Sequence, residues 1–353
     1  MNSIYNLIFT LDYEIHGNGD GSPYLLIVEP TYRLMALLEK YGFKLTIHAD
    51  IAEIFCFKKY FEETGEDKFF YQEIENQLKE AIKRGHDVQL HIHSSYFKAT
   101  YNEKSWSQCW DEYNMAALPY ERIHEMIKQS KEYLETLLKP INKNYSCHAF
   151  RAANWSMMPT PNIYKALIEN GINIDTSVFK GGIQGGNVCY NYSNAYSHIF
   201  SYKASEKDIN QYDKNGKLTE FPIYTEMRYF GAFITPIRVF RMVRAKFHKH
   251  GKNSISEAKE NTDVDKKDNR KLSLKSFFVK SPWKLDFNQA SGRQMINALK
   301  RIRKQVKNRT DVDVILIGHS KTFVPYNEKT LEKFLSWAQK QKDVSSGLFK
   351  KEI

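Results

Sequence analysis

The stretch AIKRGHDVQLHIH, residues 81–93, contains the pattern that decides the fold. A helical run ends at Gly85, where a left-handed residue suits the end of a helix, and an apolar run of strand type begins two residues later. The same succession of helix, glycine and strand occurs at Gly42 and at Gly171. Strands that follow helices after such short joints belong to sheets covered by helices, so the sequence predicts an α/β protein.

Seven β-rich runs alternate, mostly with helical runs, along the chain. They lie at residues 4–11, 43–49, 87–93, 146–152, 172–179, 218–227 and 311–319. Such alternation predicts a parallel sheet with helices outside, either closed into a barrel or open and doubly wound. We expect one domain over residues 1–345, with a basic and partly disordered insertion at 236–288 before the last strand.

Composition is that of a soluble globular protein. Hydrophobic residues make up 42% and charged residues 26% of the 353 residues, and no apolar run is long enough to cross a bilayer. The start, MNSIYNLIFTLDYE, lacks the cationic region of a signal peptide and soon reaches an acid, Asp12. The four cysteines are scattered without a C-x-x-C pair, which argues against a disulfide scaffold or a structural zinc knuckle. We therefore expect a cytoplasmic protein.

The positive charge is concentrated in one part of the sequence. Of a formal net charge of +11, residues 238–284 contribute fourteen Lys and Arg against five Asp and Glu. Arg238, Arg241 and Arg244 recur every third residue with apolar residues between them, which is typical of a helix lying on an anionic membrane surface. The alternative is that the aromatic residues of this stretch pack on the barrel while its lysines are solvated. The remainder is nearly neutral, so nucleic acid is not an expected partner.

Side chains of the kinds used in catalysis stand at the ends of several predicted strands. They are Asp12 and Glu14, His48 and Asp50, His91 and His93, Arg151, Asp175 and Ser177, and His319. In parallel barrels, the chemistry collects where the carboxyl ends of the strands meet. Core strands do not normally end so regularly in acids, histidines and arginine, so we expect a catalytic site at this end of the sheet.

Two of these pairs have the spacing of a metal site. Asp12 and Glu14 are two residues apart, as are His91 and His93, and side chains two apart on a strand point to the same face. Together they offer two imidazoles, a carboxylate for a metal and a second carboxylate for proton transfer, which suits a zinc-like divalent ion. The simpler alternative is that each pair is a polar strand end that meets solvent.

These residues lead to a resemblance with a known family. Five motifs resemble, in the same order, those of the polysaccharide deacetylases, carbohydrate esterase family 4 with its nodulation-type deacetylase homology domain. They are TLDYE (10–14), RGHDVQLHIH (84–93), FRAANW (150–155), IDTSVF (174–179) and LIGHSK (316–321). They look most like the divergent bacterial subgroup of surface-glycan biosynthesis. The resemblance implies a distorted (β/α)7 barrel with parallel strands, in which the basic stretch is an insertion.

The chain departs from the family's pattern at two metal-binding positions. The acid expected directly after Asp12 is replaced by Tyr13, and the second histidine, expected four residues after His91, is replaced by Ser95. Because side chains alternate along a strand, an acid and an imidazole on the same faces as these partners can take over. The predicted metal ligands are therefore Glu14, His91 and His93.

The resemblance also implies roles for the other residues. Asp12 would be the base that takes a proton from water, and Arg151 the cation that keeps it ionised. His319 would be the acid that protonates the leaving amine, with Asp175 stabilising its imidazolium. The wall of a sugar site would be formed by Tyr13 and Trp155.

The expected function is metal-dependent removal of an N-acetyl group from an acetamido sugar, in a cytosolic precursor of a bacterial surface polysaccharide. The expected metal is zinc, and the substrate an acetamido sugar or glycolipid. Peripheral contact with the inner face of the cell membrane through residues 238–284 would suit a lipid-linked substrate. Two alternatives stay open: a metal amidohydrolase for a small non-sugar amide, and a non-catalytic glycan-binding relative.

Overall fold

The computed structural model describes residues 4–15, 21–234, 279–306 and 311–350, and seven parallel strands form most of its nine-stranded central sheet. Their bounds are β1 Ile4–Tyr13, β2 Leu45–Asp50, β3 Asp87–Ile92, β4 Ala149–Ala152, β5 Ile174–Asp175, β6 Leu218–Glu220 and β7 Asp311–His319. Each predicted β-run overlaps one of these strands, which confirms the α/β class.

Helices connect most of these strands, but none lies between β5 and β6. Their bounds are α1 Glu29–Lys40, α2 Ile51–Thr64, α3 Tyr71–Lys83, α4 Tyr120–Leu138, α5 Thr160–Glu169, α6 Gly292–Gln305 and α7 Pro325–Ala338. Gly42, Gly85 and Gly171 have φ of +78°, +75° and +71°. The predicted joints therefore do use the left-handed conformation that glycine allows at a helix end. None of the helices described is both long and apolar enough to cross a membrane.

The sheet curls into a distorted barrel. The spatial order is β6-β5-β4-β3-β2-β1-β7, with every neighbouring pair parallel. Beyond β6, Ile223 donates its N–H to Val178 O over 2.9 Å and forms an isolated parallel bridge with Ile315 of β7. Asp286 forms a second bridge with Ile317. Single bridges in place of a continuous ladder close the seam between the two ends of the sheet.

Five further pairings of short strands accompany the seven parallel strands. Tyr202–Ala204 runs antiparallel to β6, and Val344–Ser346 runs parallel to the start of β1. Three hairpins pair Thr100–Tyr101 with Trp106–Ser107, Ile183–Gln184 with Tyr190–Asn191, and Thr225–Arg228 with Ser281–Lys284. Of the predicted insertion at 236–288, residues 236–278 lie outside the described residues. The remaining residues, 279–288, return to the barrel, where Trp283, Leu285 and Phe287 are buried.

Alternation along β1 separates the core from the site. Phe9 points towards the helices, where its ring contacts those of Phe43 and Phe334 at centroid distances of 5.6 and 6.5 Å. Thr10 points into the barrel, where its hydroxyl accepts a hydrogen bond from Arg151 over 2.9 Å. The even-numbered acids that follow, Asp12 and Glu14, therefore enter the barrel interior at its carboxyl end.

Candidate active site

The carboxyl ends of β1, β3, β4 and β7 meet at one end of the barrel and bring the predicted polar residues together. The strand register places Asp12 beside His319 and His91 beside Arg151. Asp12, Glu14, His91 and Arg151 are all buried, with Arg151 completely inaccessible. Charged groups this deep in a protein must be paired with one another to stay ionised.

Glu14 joins the two histidines into one cluster. Its Oε2 lies 2.5 Å from His93 Nε2 and 3.3 Å from His91 Nε2. One donor atom from each of the three residues lies within 4.8 Å of the other two. Burial opposes the ionisation of Glu14, but the charges of Lys321 and His93 outweigh it and hold the pKa of Glu14 well below its usual value. The cluster therefore contains an ionised carboxylate.

The ring of His91 is oriented by the backbone of β4. Its Nδ1 lies 2.8 Å from the carbonyl oxygen of Arg151, so Nδ1 donates there and Nε2 faces Glu14. Histidines that bind metals are commonly held in this way. Burial favours the neutral ring, but the hydrogen bond to Glu14 and the charge of Asp12 raise the pKa of His91 to about 9. The same negative potential that attracts a proton would attract a divalent cation.

His93 reaches the cluster from the residue after β3. Its backbone N–H donates to Asp50 Oδ1 at the end of β2, over 3.1 Å. Ser95, where the family's pattern has a histidine, lies in the following 3₁₀ turn and donates to Gln108 Oε1 over 2.7 Å. The structure thus brings residue 93, and not residue 95, to Glu14.

Asp12 is an acid kept apart from this cluster. Arg151 Nη1 donates to Asp12 Oδ1 over 2.7 Å, and the other guanidinium nitrogens donate to Thr10 and to Thr176. Burial works to raise the pKa of Asp12, but Arg151 and then His319 outweigh it and lower that pKa to about 2. Asp12 is therefore ionised throughout the physiological pH range.

His319 lies across the site from the other two histidines. Its Nε2 is 3.4 Å from Asp12 Oδ2 and 4.0 Å from Glu14 Oε1. Asn288 accepts from the N–H of His319 over 3.1 Å and donates to its carbonyl oxygen over 2.9 Å, which fixes the backbone at this point. The side chain of His319 is 18% exposed, against 3% for Asp12. Its ring is therefore more open to solvent than the carboxylate of Asp12.

Asp175 does not contact His319, contrary to the role expected from the sequence. Its carboxylate accepts hydrogen bonds from the hydroxyl and the N–H of Ser177, over 2.7 and 3.2 Å, and it lies in register with Glu220 of β6. In the described parts of the chain, the acids within 4.0 Å of the His319 ring are Asp12 and Glu14. The reason is topological, because both β6 and the seam closed by Ile223 lie between β5 and β7.

The two predicted wall residues lie on different sides of the sheet. Tyr13 is 1% exposed, and its hydroxyl donates to Gln77 of α3 over 2.8 Å. The prediction for Tyr13 is therefore wrong, because alternation along β1 turns residue 13 towards the helices. Trp155 does lie in the site: its ring is edge-to-face with His319 at 6.1 Å between centroids, and Lys284 Nζ is 3.2 Å from its ring centre.

Lys321 is a charged residue of the site that the sequence analysis missed. Its Nζ donates to Glu14 Oε1 over 2.9 Å and to the carbonyl oxygen of Ile15 over 3.2 Å. The available signal was its place in LIGHSK, two residues beyond the strand that ends at His319. A lysine just after a strand is too common to indicate a partner 307 residues away.

The donors present fit a divalent ion of the zinc type. Two imidazole nitrogens and one carboxylate oxygen converge, while the second carboxylate has its own arginine. Three protein ligands, with further positions left open, are typical of catalytic rather than structural zinc sites. Within the residues that the structure describes, no other group of three His, Cys, Asp or Glu side chains converges in this way.

Comparisons with known proteins find structural neighbours only. No family model matches the sequence, and no curated protein matches it. A Mycobacterium smegmatis protein assigned as a polysaccharide deacetylase is 12% identical over 97% of this chain and 86% of its own, with a TM-score of 0.48. A family 4 carbohydrate esterase from Streptomyces lividans is 9% identical over 97% and 92%, with a TM-score of 0.39.

A 4-alpha-glucanotransferase from Thermococcus litoralis is also similar, at 13% identity over 99% of this chain and 40% of its own, with a TM-score of 0.49. Two of these three neighbours carry the name of the family that the sequence motifs resemble. Identities and TM-scores this low carry no function over to this chain.

Proposed function

We propose that this protein is a metal-dependent hydrolase that removes the acetyl group from an acetamido sugar. The observation that carries the proposal is the separation of two acids at the end of β1. Glu14 faces two histidines, whereas Asp12 is neutralised by Arg151 and faces His319. One acid among metal donors and another beside a histidine supply the groups needed for both halves of an amide hydrolysis.

Hydrolysis of an amide needs an activated water and a protonated leaving group, because an amine anion leaves poorly. When bound to Glu14, His91 and His93, a divalent ion would polarise the carbonyl and lower the pKa of water. Asp12 accepts the proton that water loses as its oxygen bonds to the carbonyl carbon. His319, in its protonated form, gives a proton to the nitrogen as the C–N bond breaks, so acetate and a free amine leave.

Arg151 prepares Asp12 for this step in two ways. Its charge keeps the carboxylate ionised, and its bond to Oδ1 leaves Oδ2 as the oxygen that faces His319. The nearest atoms of the base and the acid, Asp12 Oδ2 and His319 Nε2, are 3.4 Å apart, so both can reach the same substrate group.

We assign zinc as the ion, and as substrate an acetamido sugar of a cytosolic surface-polysaccharide precursor. Support comes from the five motifs quoted above and from Trp155, whose ring beside His319 offers an amphipathic aromatic surface for a sugar. The donor set of two imidazoles and one carboxylate favours zinc over magnesium or calcium, which take oxygen ligands.

Metal content tests the centre directly. Protein purified without chelator is expected to contain about one zinc ion per chain, and His91→Ala to contain almost none. His124→Ala, on α4 and away from the site, is the matched control and should keep its zinc. Negligible metal in the wild type would contradict the proposal and favour the non-catalytic glycan-binding relative.

Product analysis tests the reaction and its substrate. Acetate release from N-acetylated sugars is expected, and His319→Ala should lower turnover by a factor on the order of 10² or more. Release from small non-sugar amides alone would favour the metal amidohydrolase. Normal turnover in His319→Ala would remove this residue from the mechanism.

We also propose that the protein contacts an anionic membrane surface near the insertion. Large side chains beside it are exposed: Met227, Tyr229, Ile234 and Val279 are between 50% and 60% accessible. The intervening residues 235–278 lie outside the described structure, and their sequence is rich in Lys and Arg. Apolar side chains next to cations suit the boundary of an anionic bilayer.

Sedimentation with liposomes tests this contact. The wild type is expected to sediment with vesicles that contain phosphatidylglycerol but not with pure phosphatidylcholine, and deletion of residues 235–278 should abolish sedimentation. Equal sedimentation of the wild type and the deletion variant would contradict the proposal.

A further inference from the structure

Lys321 and Glu14 form a largely buried ion pair to which the reaction above assigns no step. Their side chains are 13% and 5% exposed, and Nζ lies 2.9 Å from Oε1. The ammonium also donates to the carbonyl oxygen of Ile15, whose N–H donates to Glu53 Oε2 over 2.8 Å. The chain just after Glu14 is therefore fixed on both sides, and one oxygen of Glu14 is fixed with it.

This contact leaves one carboxylate oxygen for the histidines. While Lys321 holds Oε1, Oε2 stays 2.5 Å from His93 and 3.3 Å from His91. A glutamate has one more rotatable bond than an aspartate, so more side-chain freedom must be removed before its carboxylate can bind an ion tightly. Lys321 removes that freedom in the folded protein.

Asp12, the other acid at the end of β1, is held in the same manner as Glu14. Arg151 bonds to Oδ1 of Asp12 and leaves Oδ2 towards His319, as Lys321 bonds to Oε1 of Glu14 and leaves Oε2 towards the histidine pair. Each buried acid thus has one oxygen bound to a cation and one oxygen turned to its task. This shared arrangement indicates that the contact of Lys321 serves the site and not only the fold.

We propose that Lys321 is a positioning residue, which presents a single oxygen of Glu14 to a metal ion bound also by His91 and His93. The inference rests on the metal centre of the proposed function. Lys321 acts through Glu14 and does not contact the ion. Hydrogen-bonded partners of ligating carboxylates commonly strengthen metal binding, and their loss costs about 10- to 100-fold in affinity.

The affinity for zinc alone, measured by competition with a fluorescent chelator, tests this role. Lys321→Met keeps an unbranched apolar chain and removes the ammonium, so its zinc affinity should fall about 10- to 100-fold. Lys329→Met, the same change at an exposed position of α7, should leave the affinity unaltered. Circular dichroism and thermal unfolding of the metal-free proteins verify that both variants are folded.

A double-mutant cycle separates positioning from a general weakening of the site. In a Glu14→Gln background, Lys321→Met should change the zinc affinity by less than about twofold, because the carboxylate on which it acts is gone. Equal losses in the two backgrounds would overturn the inference. So would tighter zinc binding by Lys321→Met, which would mean that the cation only repels the metal.

The outcomes also separate this inference from the metal centre itself. A wild type that binds no zinc would contradict both the metal centre and the positioning role of Lys321. A wild type that binds zinc no more tightly than Lys321→Met contradicts the positioning role alone. If Lys321→Met does not fold, Lys321→Gln, which keeps a donor without the charge, replaces it in the same cycle and should also bind zinc more weakly than the wild type.

Discussion

The two acids at the end of β1 differ in the residues that neutralise them. Asp12 has the guanidinium of Arg151, and Glu14 has the ammonium of Lys321 together with two imidazoles. A buried carboxylate without such partners takes up a proton instead. Because each acid has its own cation, both stay ionised within one small site and can perform different tasks.

Replacement of Asp12, the proposed base, tests whether the two acids perform different tasks. Asp12→Asn keeps the shape of the side chain but cannot accept the proton, so turnover should fall by a factor on the order of 10² or more while bound metal is retained. The matched control is Asp111→Asn, at an exposed position, with normal turnover. Loss of metal from Asp12→Asn would instead assign Asp12 to the ligand set.

A histidine outside the site predicts how stability depends on pH. His86 Nδ1 accepts from the N–H of Leu45 over 3.0 Å, and its Nε2 lies 2.9 Å from Glu39. Burial is the main cause that lowers the pKa of His86, to about 4 from a usual value of 6.5. The folded state therefore binds fewer protons than the unfolded state between these pH values. The stabilisation is complete above pH 6.5 and is lost as the pH falls towards 4.

The free energy of unfolding, measured in urea across this pH range, checks the sign and the size of the stability change caused by His86. Between pH 6.5 and 4, the free energy of unfolding of the wild type should fall by about 2–3 kcal/mol more than that of His86→Gln. The reason is that the amide of glutamine keeps a donor and an acceptor but does not titrate. Parallel pH profiles for the two proteins would contradict the assignment.

At the scale of elements, strand alternation explains both what was predicted and what was missed. The rule that residues two apart share a face puts Asp12 and Glu14 together, and His93 beside His91. The same rule turns Tyr13 away from the site towards Gln77 of α3, so the pattern that predicted the acids already argued against Tyr13 as a sugar contact. Strand β5 contains only two residues, so alternation could not predict the direction of the Asp175 side chain in the same way.

Strand β7 reaches the site through a glycine that has no room for a side chain. A methyl group on Gly318 would lie 2.1 Å from the ring of Phe287 and 2.3 Å from Asn288 Oδ1, and Asn288 holds the backbone of His319. Gly318→Ala should therefore lower the free energy of unfolding by about 2 kcal/mol and reduce turnover as His319 is displaced.

Urea unfolding and turnover measured on the same preparation check both effects. Gly185→Ala is the control, since a methyl group there meets no other atom within 4 Å. Wild-type stability in Gly318→Ala would show that Phe287 and Asn288 can move away freely.

At the scale of the whole molecule, residues 235–278 are connected to the barrel through the pairing of Thr225–Arg228 with Ser281–Lys284. Arg228 pairs with Ser281 in the hairpin, so the chain leaves and returns at neighbouring points. Loops that start and end close together can be shortened at little cost, because few contacts of the core depend on their length.

Deletion of residues 235–278, with a short Gly-Ser linker from 234 to 279, should therefore leave a folded barrel. The midpoint of thermal unfolding is expected to change by less than about 3 °C, a shift that corresponds to about 2 kcal/mol for a domain of this size. A drop of 10 °C or more would favour the alternative in which the aromatic residues of this segment pack on the barrel.

The sequence by itself determined the existence of the seven strands, their succession along the chain and the polar residues at their ends. Alternation, helix-ending glycines and apolar runs are local, so they can be read without knowing which strands are neighbours. Only the tertiary structure decided which cation neutralises which acid. The pairs Arg151–Asp12 and Lys321–Glu14 join residues 139 and 307 positions apart, and the seam beside β7 separates His319 from Asp175. Such contacts depend on how the barrel closes, which no local pattern specifies.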